Sequence, residues 1–546
     1  MSGGRADVGE HRDVLQEVQR PKGEFASVGA APRRDGAPIE TQVLLPRTME
    51  MIHKMKKTLY FLSFAVILSG FAGVIAHSIS FSTQSSNMTN TYKTSWFAAV
   101  FAISGLNLLQ LLTKANFSKK SFWFELAVIV LLGCSSFISL ACLGYSQEWP
   151  SFAWVFVTYI SVAASAIYLL QCKNGSVSDE NQTRTVTDKV ITAGLYLLKV
   201  LFMLIVSLLA SGSILSAIAS SYQPTGRPIS VLFDGANRNG TLQIYCIGNS
   251  NISKPTIFIF SSSAHGIVDL YGLQYFLSTT NGTSRRVCIH DPLGFGWSQD
   301  PFDGQFTNYE YLYRLMLSSN ESMPWHIVGW GGGGSAIMYL ANNHTSSIQS
   351  VTFVETYPPG IEFSYYGYQN GLSQQAISEY RSAQISSRIG LVQLILSMAV
   401  PWGLMGLFIP ILPQNEGYYP PERWSEFRVQ MWKSKVWISQ YQGLRHLQMT
   451  SDSQDPLISF APLSSQIPVF GVYCNTTSAC EAKSQNGQDC TQLSYYNTKK
   501  FSMIREINTN ATIVVTSDVD CNLNLPVQKP LYTASSILKL YSGIEV

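Results

Sequence analysis

A glycine-rich segment between a predicted buried strand and a predicted helix carries the most informative pattern of this sequence. Residues 325–335 read WHIVGWGGGGS, so Gly329 and Gly333 flank Gly331 at the spacing of a Gly-x-Ser-x-Gly motif. In that motif, a serine at the sharp turn between strand and helix attacks a carbonyl carbon with its hydroxyl. Gly331 stands at the serine position and has no hydroxyl. We therefore expect such a turn without its nucleophile.

Ser335 is the nearest hydroxyl that could replace the missing one. A turn centred on Ser335 would place Ile337 where the motif needs a small residue, and it would move the hydroxyl by about one helical turn. Ser335 is therefore the alternative candidate rather than the expected nucleophile. No two histidines of the C-terminal half have the spacing of metal ligands, so the sequence predicts no metal site and no cofactor.

Composition indicates a membrane protein. The 546 residues have a formal net charge of +3 and no basic arm, which argues against nucleic acid as a partner. Charged residues make up 13% of the chain, about half of the usual share. We predict that residues 1–56, which are polar and lack apolar periodicity, form a disordered cytosolic tail.

Five apolar runs fill residues 57–221, and each is about long enough to cross a bilayer as a helix. They lie near residues 58–80, 95–113, 121–145, 151–171 and 193–218. Basic clusters precede the first run and separate the second from the third and the fourth from the fifth, which predicts a cytosolic N-terminus. Within the runs, Glu125 and Lys199 are costly residues. We favour simple packing or snorkelling for them over a buried ion pair.

Glycosylation sequons agree with this topology, because they are used only on the lumenal or extracellular side. The predicted acceptors are Asn87, Asn239, Asn251, Asn281, Asn320, Asn343, Asn475 and Asn510. The domain at 228–546 is therefore expected outside the cytosol, in the secretory or endosomal system or at the plasma membrane.

Beyond residue 228, strand-like runs alternate with helical stretches, which indicates an α/β domain with a mostly parallel sheet. The predicted strands are 256–260, 286–290, 326–328, 351–354, 469–473 and 512–515. The segment that follows the first of them reads SSSAHG, and the second is followed by DPLGFGWS.

These segments, the glycine-rich turn and the YPPG that follows residue 356 resemble the α/β-hydrolase family in order and spacing. The resemblance covers about residues 230–546 and implies an α/β-hydrolase-like sheet with a helical cap at about 360–450. It also implies that SSSAHG is the oxyanion loop and that residues 329–334 are the nucleophile elbow.

The resemblance also implies which catalytic side chains this sequence lacks. The family reaction needs a nucleophile, a histidine after the last strand and an acid that orients it. Gly331 removes the first, and no histidine follows His446. Glu355 is the remaining candidate for the acid. Losing two of the three groups makes hydrolysis by this route improbable.

Six cysteines outside the apolar runs permit disulfides in an oxidising compartment. The family strand order implies that Cys246 and Cys288 lie on adjacent strands. It also implies that Cys474 and Cys521 follow the strands whose ends would carry the acid and the histidine. A bond between Cys474 and Cys521 is therefore our prediction. The alternative is a Cys480–Cys490 loop with the other cysteines free.

The apolar run at 389–412 belongs to the predicted cap rather than to a sixth span, because a crossing would separate the last two strands from their sheet. Its apolar face would cover the former active site or enter the outer leaflet. Either arrangement would suit a lipid-like ligand.

The leading interpretation is a membrane-anchored pseudohydrolase. Its outer domain would bind a lipid-like ligand or a partner membrane protein without triad catalysis. The predicted pocket residues are Ser261, Ser262, Ser263, Trp330, Gly331 and Gly332. Two alternatives stay open: an active ester or lipid hydrolase with an unusual nucleophile, and a scaffold subunit of a membrane complex.

Overall fold

The structure is a computed structural model, and it describes most of the chain beyond residue 56. The described residues are 54, 57–75, 88–113, 119–145, 149–173, 186–233, 238–249, 254–261, 265–280, 285–299, 309–358, 361–384, 390–404, 423–433, 435–439, 462–483, 490–517 and 524–544. The chain divides into two units, Met1–Lys56 and Lys57–Val546. The predicted disordered tail therefore lies outside the described residues, apart from Lys54.

Five helices form the N-terminal part of the second unit. They are α1 (Lys57–Ile75), α2 (Met88–Thr113), α3 (Lys119–Tyr145), α4 (Trp149–Lys173) and α5 (Val186–Ser221). Four of them, α1, α3, α4 and α5, contain stretches long and apolar enough to cross a membrane. The apolar stretch of α2, Trp96–Leu112, is shorter. Each of the five predicted runs thus forms a helix.

Small residues and one ion pair join these helices. A Cβ atom on Gly70 of α1 would lie 2.6 Å from the backbone nitrogen of Ala102 in α2, so only glycine permits this approach. Between α3 and α5, Lys199 forms an ion pair with Glu125, and both side chains are buried. The prediction of simple packing or snorkelling for these two residues was therefore wrong. Burial explains the difference, because two charges removed from water are stabilised by each other.

An eight-stranded sheet forms the core of the C-terminal domain. The strands are β1 (Arg227–Phe233), β2 (Arg238–Ile247), β3 (Ile257–Phe260), β4 (Val287–His290), β5 (Trp325–Trp330), β6 (Ile348–Val354), β7 (Val469–Cys474) and β8 (Thr512–Thr516). Their order in the sheet is β1-β2-β4-β3-β5-β6-β7-β8. Strand β2 pairs antiparallel with both neighbours, and β3 to β8 are parallel.

Helices cover both faces of this sheet, as a parallel sheet requires. They are α6 (Ile267–Thr279), α7 (Glu310–Ser318), α8 (Gly333–Asn343), α13 (Thr476–Lys483), α14 (Thr491–Ile507), α15 (Leu525–Gln528) and α16 (Pro530–Ser542); α9 to α12 belong to the cap. Leu315 of α7 and Ile337 of α8 join one core. Leu270 of α6 and Tyr541 of α16 join the other. Strands β3, β4, β5 and β7 are buried along their whole length, which explains their uninterrupted apolar sequences.

The cap is inserted between β6 and β7. It contains α9 (Ile361–Asn370), α10 (Gln374–Gln384), α11 (Gly390–Ala399) and α12 (Trp424–Met431). Residues 390–404 are the described part of the apolar run at 389–412, and they form helix α11 and a following turn that includes Pro401.

Two described disulfides stabilise the C-terminal domain. Cys246 and Cys288 face each other on the antiparallel strands β2 and β4 and are bonded. Cys480 and Cys490 are bonded as well, so both pairs form rather than the second alone. Cys474 is also disulfide-bonded. Its predicted partner, Cys521, lies outside the described residues, so that pairing stays a prediction.

Candidate functional site

A sharp turn joins β5 to α8 at the carboxyl end of the sheet. Gly331 occupies the turn with a φ of +53°, a left-handed conformation that glycine adopts without strain. Its amide donates to the carbonyl of Val354 at the end of β6 (3.1 Å). Gly332 follows with a φ of −62°, and α8 begins at Gly333. This is the strand-turn-helix geometry of a nucleophile elbow, with a hydrogen atom where the reactive side chain would be.

Close packing explains the glycines around this turn. A Cβ atom on Gly329 would lie 2.7 Å from the Cδ1 atom of Ile337, and one on Gly333 would lie 2.2 Å from the carbonyl oxygen of Phe260. The elbow therefore touches the end of β3, where the predicted oxyanion loop begins. On Gly334, a Cβ atom would lie 2.2 Å from the Cγ2 atom of Thr356. These contacts show that the elbow is built for tight packing even though it presents no hydroxyl.

The residue after β6 is the candidate acid, Glu355. It is buried and has a φ of +44°, which is unusual for a residue with a side chain. One carboxylate oxygen accepts a hydrogen bond from the amide of Cys474. The other oxygen accepts from the hydroxyl of Tyr357 (3.2 Å) and lies 3.5 Å from Nζ of Lys500. Glu355 and these three partners belong to chain segments that meet at the end of the sheet where the elbow lies.

Lys500 neutralises this acid. Its side chain comes from α14, is completely buried, and donates to the carbonyl of Cys474 (2.5 Å). The rings of Tyr357, Tyr473 and Phe501 surround the ammonium at 5.1–5.5 Å. Burial raises the pKa of Glu355 and lowers the pKa of Lys500, and each charge opposes the shift of the other.

The turn that follows β4 has a structural role. Asp291 accepts hydrogen bonds from the amides of Ile267 (2.9 Å) and Trp297 (3.0 Å), and burial raises its pKa to about 6. Gly296 has a φ of +50°, and a Cβ atom there would lie 2.1 Å from an oxygen of Asp291. The Asp-x-x-Gly-x-Gly-x-Ser pattern thus fixes the start of α6, which follows the predicted oxyanion loop.

The mostly parallel eight-stranded sheet, the elbow after β5, the Asp291 turn and the cap after β6 are the features that the sequence resemblance predicted. The described residues between 227 and 544 have the α/β-hydrolase fold.

Solved structures with this fold are similar to the domain at low sequence identity. A thermophilic esterase from Thermogutta terrifontis is 14% identical; the match covers 59% of this chain and 100% of the esterase, with a TM-score of 0.38. An epoxide hydrolase mutant from Bacillus megaterium is 15% identical, with 58% and 100% covered and a TM-score of 0.41. An enol-lactonase from Burkholderia xenovorans is 13% identical, with 57% and 99% covered and a TM-score of 0.34. No protein-family model and no curated protein matches the chain.

Of the predicted pocket residues, Ser261 directly follows β3, and Trp330, Gly331 and Gly332 end or follow β5, so they lie at the same end of two neighbouring parallel strands. The Ser261 hydroxyl donates to the carbonyl of His265, and the imidazole of His265 lies against the ring of Trp330 (centroids 4.6 Å apart). Ser335 is half-buried in the first turn of α8, where its amide donates to the carbonyl of Gly332 (3.2 Å). Ser262 and Ser263 lie outside the described residues.

One imidazole does contact a hydroxyl, but far from the elbow. His326 Nδ1 lies 2.7 Å from the Ser350 hydroxyl, and both side chains are fully buried. His326 is at the amino end of β5, four residues and about 13 Å before Trp330. Its ring stacks on Tyr541 in the core beneath α16. This pair therefore packs the core and does not face the elbow.

The other described histidines have separate environments. His265 lies 3.6 Å from Asp269, and His344 lies 2.9 Å from Glu310. His290 is buried against Phe260, and burial lowers its pKa to about 4. None of the described histidines is a partner in the hydrogen bonds of Glu355.

A cluster with metal-ligand atoms also proves to be structural. Ligand atoms of Cys246, Cys288 and Glu321 lie within 4.8 Å of one another. The two sulfur atoms are joined in a disulfide, so they are not available as thiolate ligands. Glu321 instead pairs with Arg286 (2.9 Å).

Proposed function

We propose that this protein is a membrane-anchored pseudohydrolase whose outer domain binds a ligand or a partner protein without triad catalysis. The observation that carries the proposal is Gly331, which keeps the backbone of the elbow at a φ of +53° and offers no atom that could form an acyl-enzyme.

The state of the candidate acid supports the same conclusion. A triad acid must accept a hydrogen bond from an imidazole and stabilise the imidazolium that forms. Glu355 is instead paired with the ammonium of Lys500 and accepts hydrogen bonds from Cys474 and Tyr357. A carboxylate occupied in this way is not available to orient an imidazole, so we propose that Glu355 contributes packing and charge balance.

The remaining chemistry at the elbow suits an anionic ligand. Gly332 is exposed and lies directly before the N-terminus of α8. Among the described residues, no hydrogen-bond acceptor is seen for its amide. Amides at a helix N-terminus favour negatively charged groups. We therefore propose that a carboxylate or similar anion of a lipid-like ligand binds at Gly332, with Trp330 and Ser261 beside it.

The proposal includes a topology in which the N-terminus is cytosolic and the hydrolase-fold domain is lumenal or extracellular. The described disulfides suit an oxidising compartment. Among the predicted glycan acceptors, Asn239, Asn320, Asn343 and Asn510 are exposed and Asn475 is half-buried. Asn87, Asn251 and Asn281 lie outside the described residues. Enzymatic removal of N-glycans from protein made in animal cells should lower its apparent mass, and the Asn239→Gln variant should carry one glycan fewer.

Ligand binding and turnover can be measured on the purified full-length protein in detergent. We expect a fluorescent fatty acid to bind more tightly than its methyl ester, because only the acid has a carboxylate. Gly332→Pro removes the amide hydrogen at a φ that proline accepts, whereas Gly332→Ala keeps it. Binding of the acid should be lost in the first variant and kept in the second, with thermal unfolding used to verify that both are folded.

Two outcomes would contradict this proposal. Equal binding of the acid and the ester by all three proteins would show that Gly332 does not form an anion site. Hydrolysis of short acyl esters well above the rate in buffer would show that the domain is an active enzyme, as the alternative interpretation holds.

A further inference from the structure

The cap turn that follows α11 packs against the membrane helices. The indole of Trp402 meets that of Trp96 in α2 edge to face, with ring centroids 4.6 Å apart. The hydroxyl of Ser211 in α5 donates to the carbonyl of Leu208 in its own helix (2.7 Å) and also lies 3.3 Å from the carbonyl oxygen of Trp402. Two different helices of the bundle therefore contact one short segment of the cap.

Glycines on both sides make this contact close. A Cβ atom on Gly212 of α5 would lie 1.9 Å from the carbonyl oxygen of Pro401. Gly403 has a φ of +69°, and a Cβ atom there would lie 2.1 Å from the hydroxyl of Ser211. Backbone thus meets backbone, which is how helices approach each other inside membranes.

The position of Gly212 along α5 sets the depth of the contact. The apolar stretch Tyr196–Ser221 has 26 residues, or about 39 Å of helix, whereas a hydrocarbon core is about 30 Å thick. If the core ends at Ser221, Gly212 lies about 14 Å inside it. If the core begins at Tyr196, it ends about 20 residues later and Gly212 lies about 6 Å inside it. In both limits, the cap turn lies within the hydrocarbon.

Helix α11 has two apolar faces. Leu396, together with Val400 of the turn, packs on the cap residues Met431, Trp432 and Trp437. Leu391, Val392 and Ile395 are 51–54% exposed and lie together on the side of the helix next to the Leu396 face, since Ile395 follows Val392 by three residues and Leu391 by four. On α5, Leu204 within the candidate span is exposed to a similar degree, 56%. A helix of 10 residues spans only about 15 Å, so α11 cannot cross the membrane.

We infer that α11 and the turn 400–403 form a monotopic membrane element of the cap. The face made by Leu391, Val392 and Ile395 contacts acyl chains of the leaflet nearest the hydrolase-fold domain. The bilayer is the partner that fits, because the face is apolar and leads into a turn that packs on α2 and α5 at hydrocarbon depth. This inference does not depend on whether the domain is catalytic.

Lipid contact can be measured with a fluorophore on single cysteines in the full-length protein. The parent would carry Cys134→Ser, Cys142→Ser and Cys172→Ser. The first two are described free thiols, and Cys172 is the third cysteine in or beside the apolar runs. Ile395→Cys tests the cap face, and Leu391→Cys repeats the test if the first variant is not monodisperse. Leu204→Cys on α5 is the lipid-exposed control. Val515→Cys on β8, at the opposite edge of the sheet from the strand that continues α5, is the water-exposed control.

Each labelled protein would be reconstituted into phosphatidylcholine vesicles with and without brominated acyl chains. We expect bromine to quench the label at Ile395 as strongly as that at Leu204, and iodide in the buffer to quench only that at Val515. Quenching of the Ile395 label by iodide alone would overturn the inference, because the face would then be in water. Quenching by neither reagent would also overturn it, because protein would then cover the face.

Discussion

The ammonium of Lys500 lies 3.5 Å from the carboxylate of Glu355, and neither side chain is exposed to solvent. The two charges come from segments 145 residues apart and meet beside the degenerate elbow. In an isolated buried site, either charge would be very costly. Together with the hydrogen bonds from Cys474 and Tyr357, the pair stabilises the region that would otherwise hold a histidine and its acid.

Replacing Lys500 by methionine should destabilise the domain strongly. The variant leaves Glu355 buried without a counter-charge, and breaking such a pair costs about 3–5 kcal/mol of the free energy of unfolding. The double variant Lys500→Met/Glu355→Gln should recover most of this loss. Lys499→Met is the matched control, because Lys499 is exposed on the same helix and should change stability by less than about 0.5 kcal/mol. Urea unfolding in detergent measures all four proteins.

The loss in Lys500→Met should depend on pH in a defined direction. Burial raises the pKa of Glu355 above its usual 4.5, and without the charge of Lys500 only the hydrogen bonds from Cys474 and Tyr357 oppose that shift. A raised pKa in the folded state favours folding below pH 4.5, and this contribution disappears as pH rises through the folded pKa. Lys500→Met should therefore be less destabilised at pH 5 than at pH 8. A larger loss at pH 5 would mean that Glu355 is not the group left unpaired.

Gly331→Ser should restore the hydroxyl without restoring catalysis. A side chain at a φ of +53° costs about 1–3 kcal/mol, so the variant should be less stable than the natural chain. The same substitution at Gly332, where φ is −62° and the residue is exposed, should cost less than about 0.5 kcal/mol. Ester hydrolysis should stay at background in both variants. A clear gain in Gly331→Ser alone would reveal a base that the described residues do not contain.

His290 should make the domain sensitive to acid. Burial lowers its pKa from 6.5 to about 4, so between these values the unfolded chain binds a proton and the folded chain does not. Its contribution is complete above pH 6.5 and is lost as pH falls to 4, by about 3 kcal/mol. Relative to His290→Phe, the natural protein should therefore lose stability over this range. Parallel pH curves for the two proteins would contradict this assignment.

The two described disulfides should contribute unequally. Cys246–Cys288 joins residues 42 apart and Cys480–Cys490 joins residues 10 apart. Loop-closure entropy gives about 4 kcal/mol for the first and about 3 kcal/mol for the second. Replacing both cysteines of a pair by serine, followed by thermal unfolding, should show the larger loss for Cys246 and Cys288. The reverse order would indicate residual structure in the unfolded state that the loop lengths do not capture.

Local patterns were enough to predict much of the fold. Buried parallel strands such as β5 are continuous apolar runs, and the elbow is marked by glycines whose spacing follows from packing against Phe260 and Ile337. Strands β1 and β2 were not among the predicted strands. Exposed and buried residues alternate along β1, and β2 contains polar residues, so neither has the continuous apolar signal of the central strands.

The candidate site was less predictable than the fold. Gly331 and Glu355 could be found because their motifs are local, but Lys500 could not, because its role depends on a partner far away in the chain. Lys499 and Lys500 look alike in sequence, and only the packing of α14 buries one and exposes the other. The contact of Trp402 with Trp96 and Ser211 also joins residues that are far apart in the chain. The sequence therefore left open whether the apolar run 389–412 covers the former active site or enters the outer leaflet.

Covalent labelling tests the central claim most directly. The purified full-length protein, Ser335→Ala and Gly331→Ser would be incubated with a fluorophosphonate and examined by intact-protein and peptide mass spectrometry. We predict no adduct on any of the three. The elbow of the natural protein and of Ser335→Ala has no nucleophile, and the new serine of Gly331→Ser has no imidazole paired with Glu355 among the described residues to activate it. A stoichiometric adduct on Ser335 in the natural protein that disappears in Ser335→Ala would contradict the account.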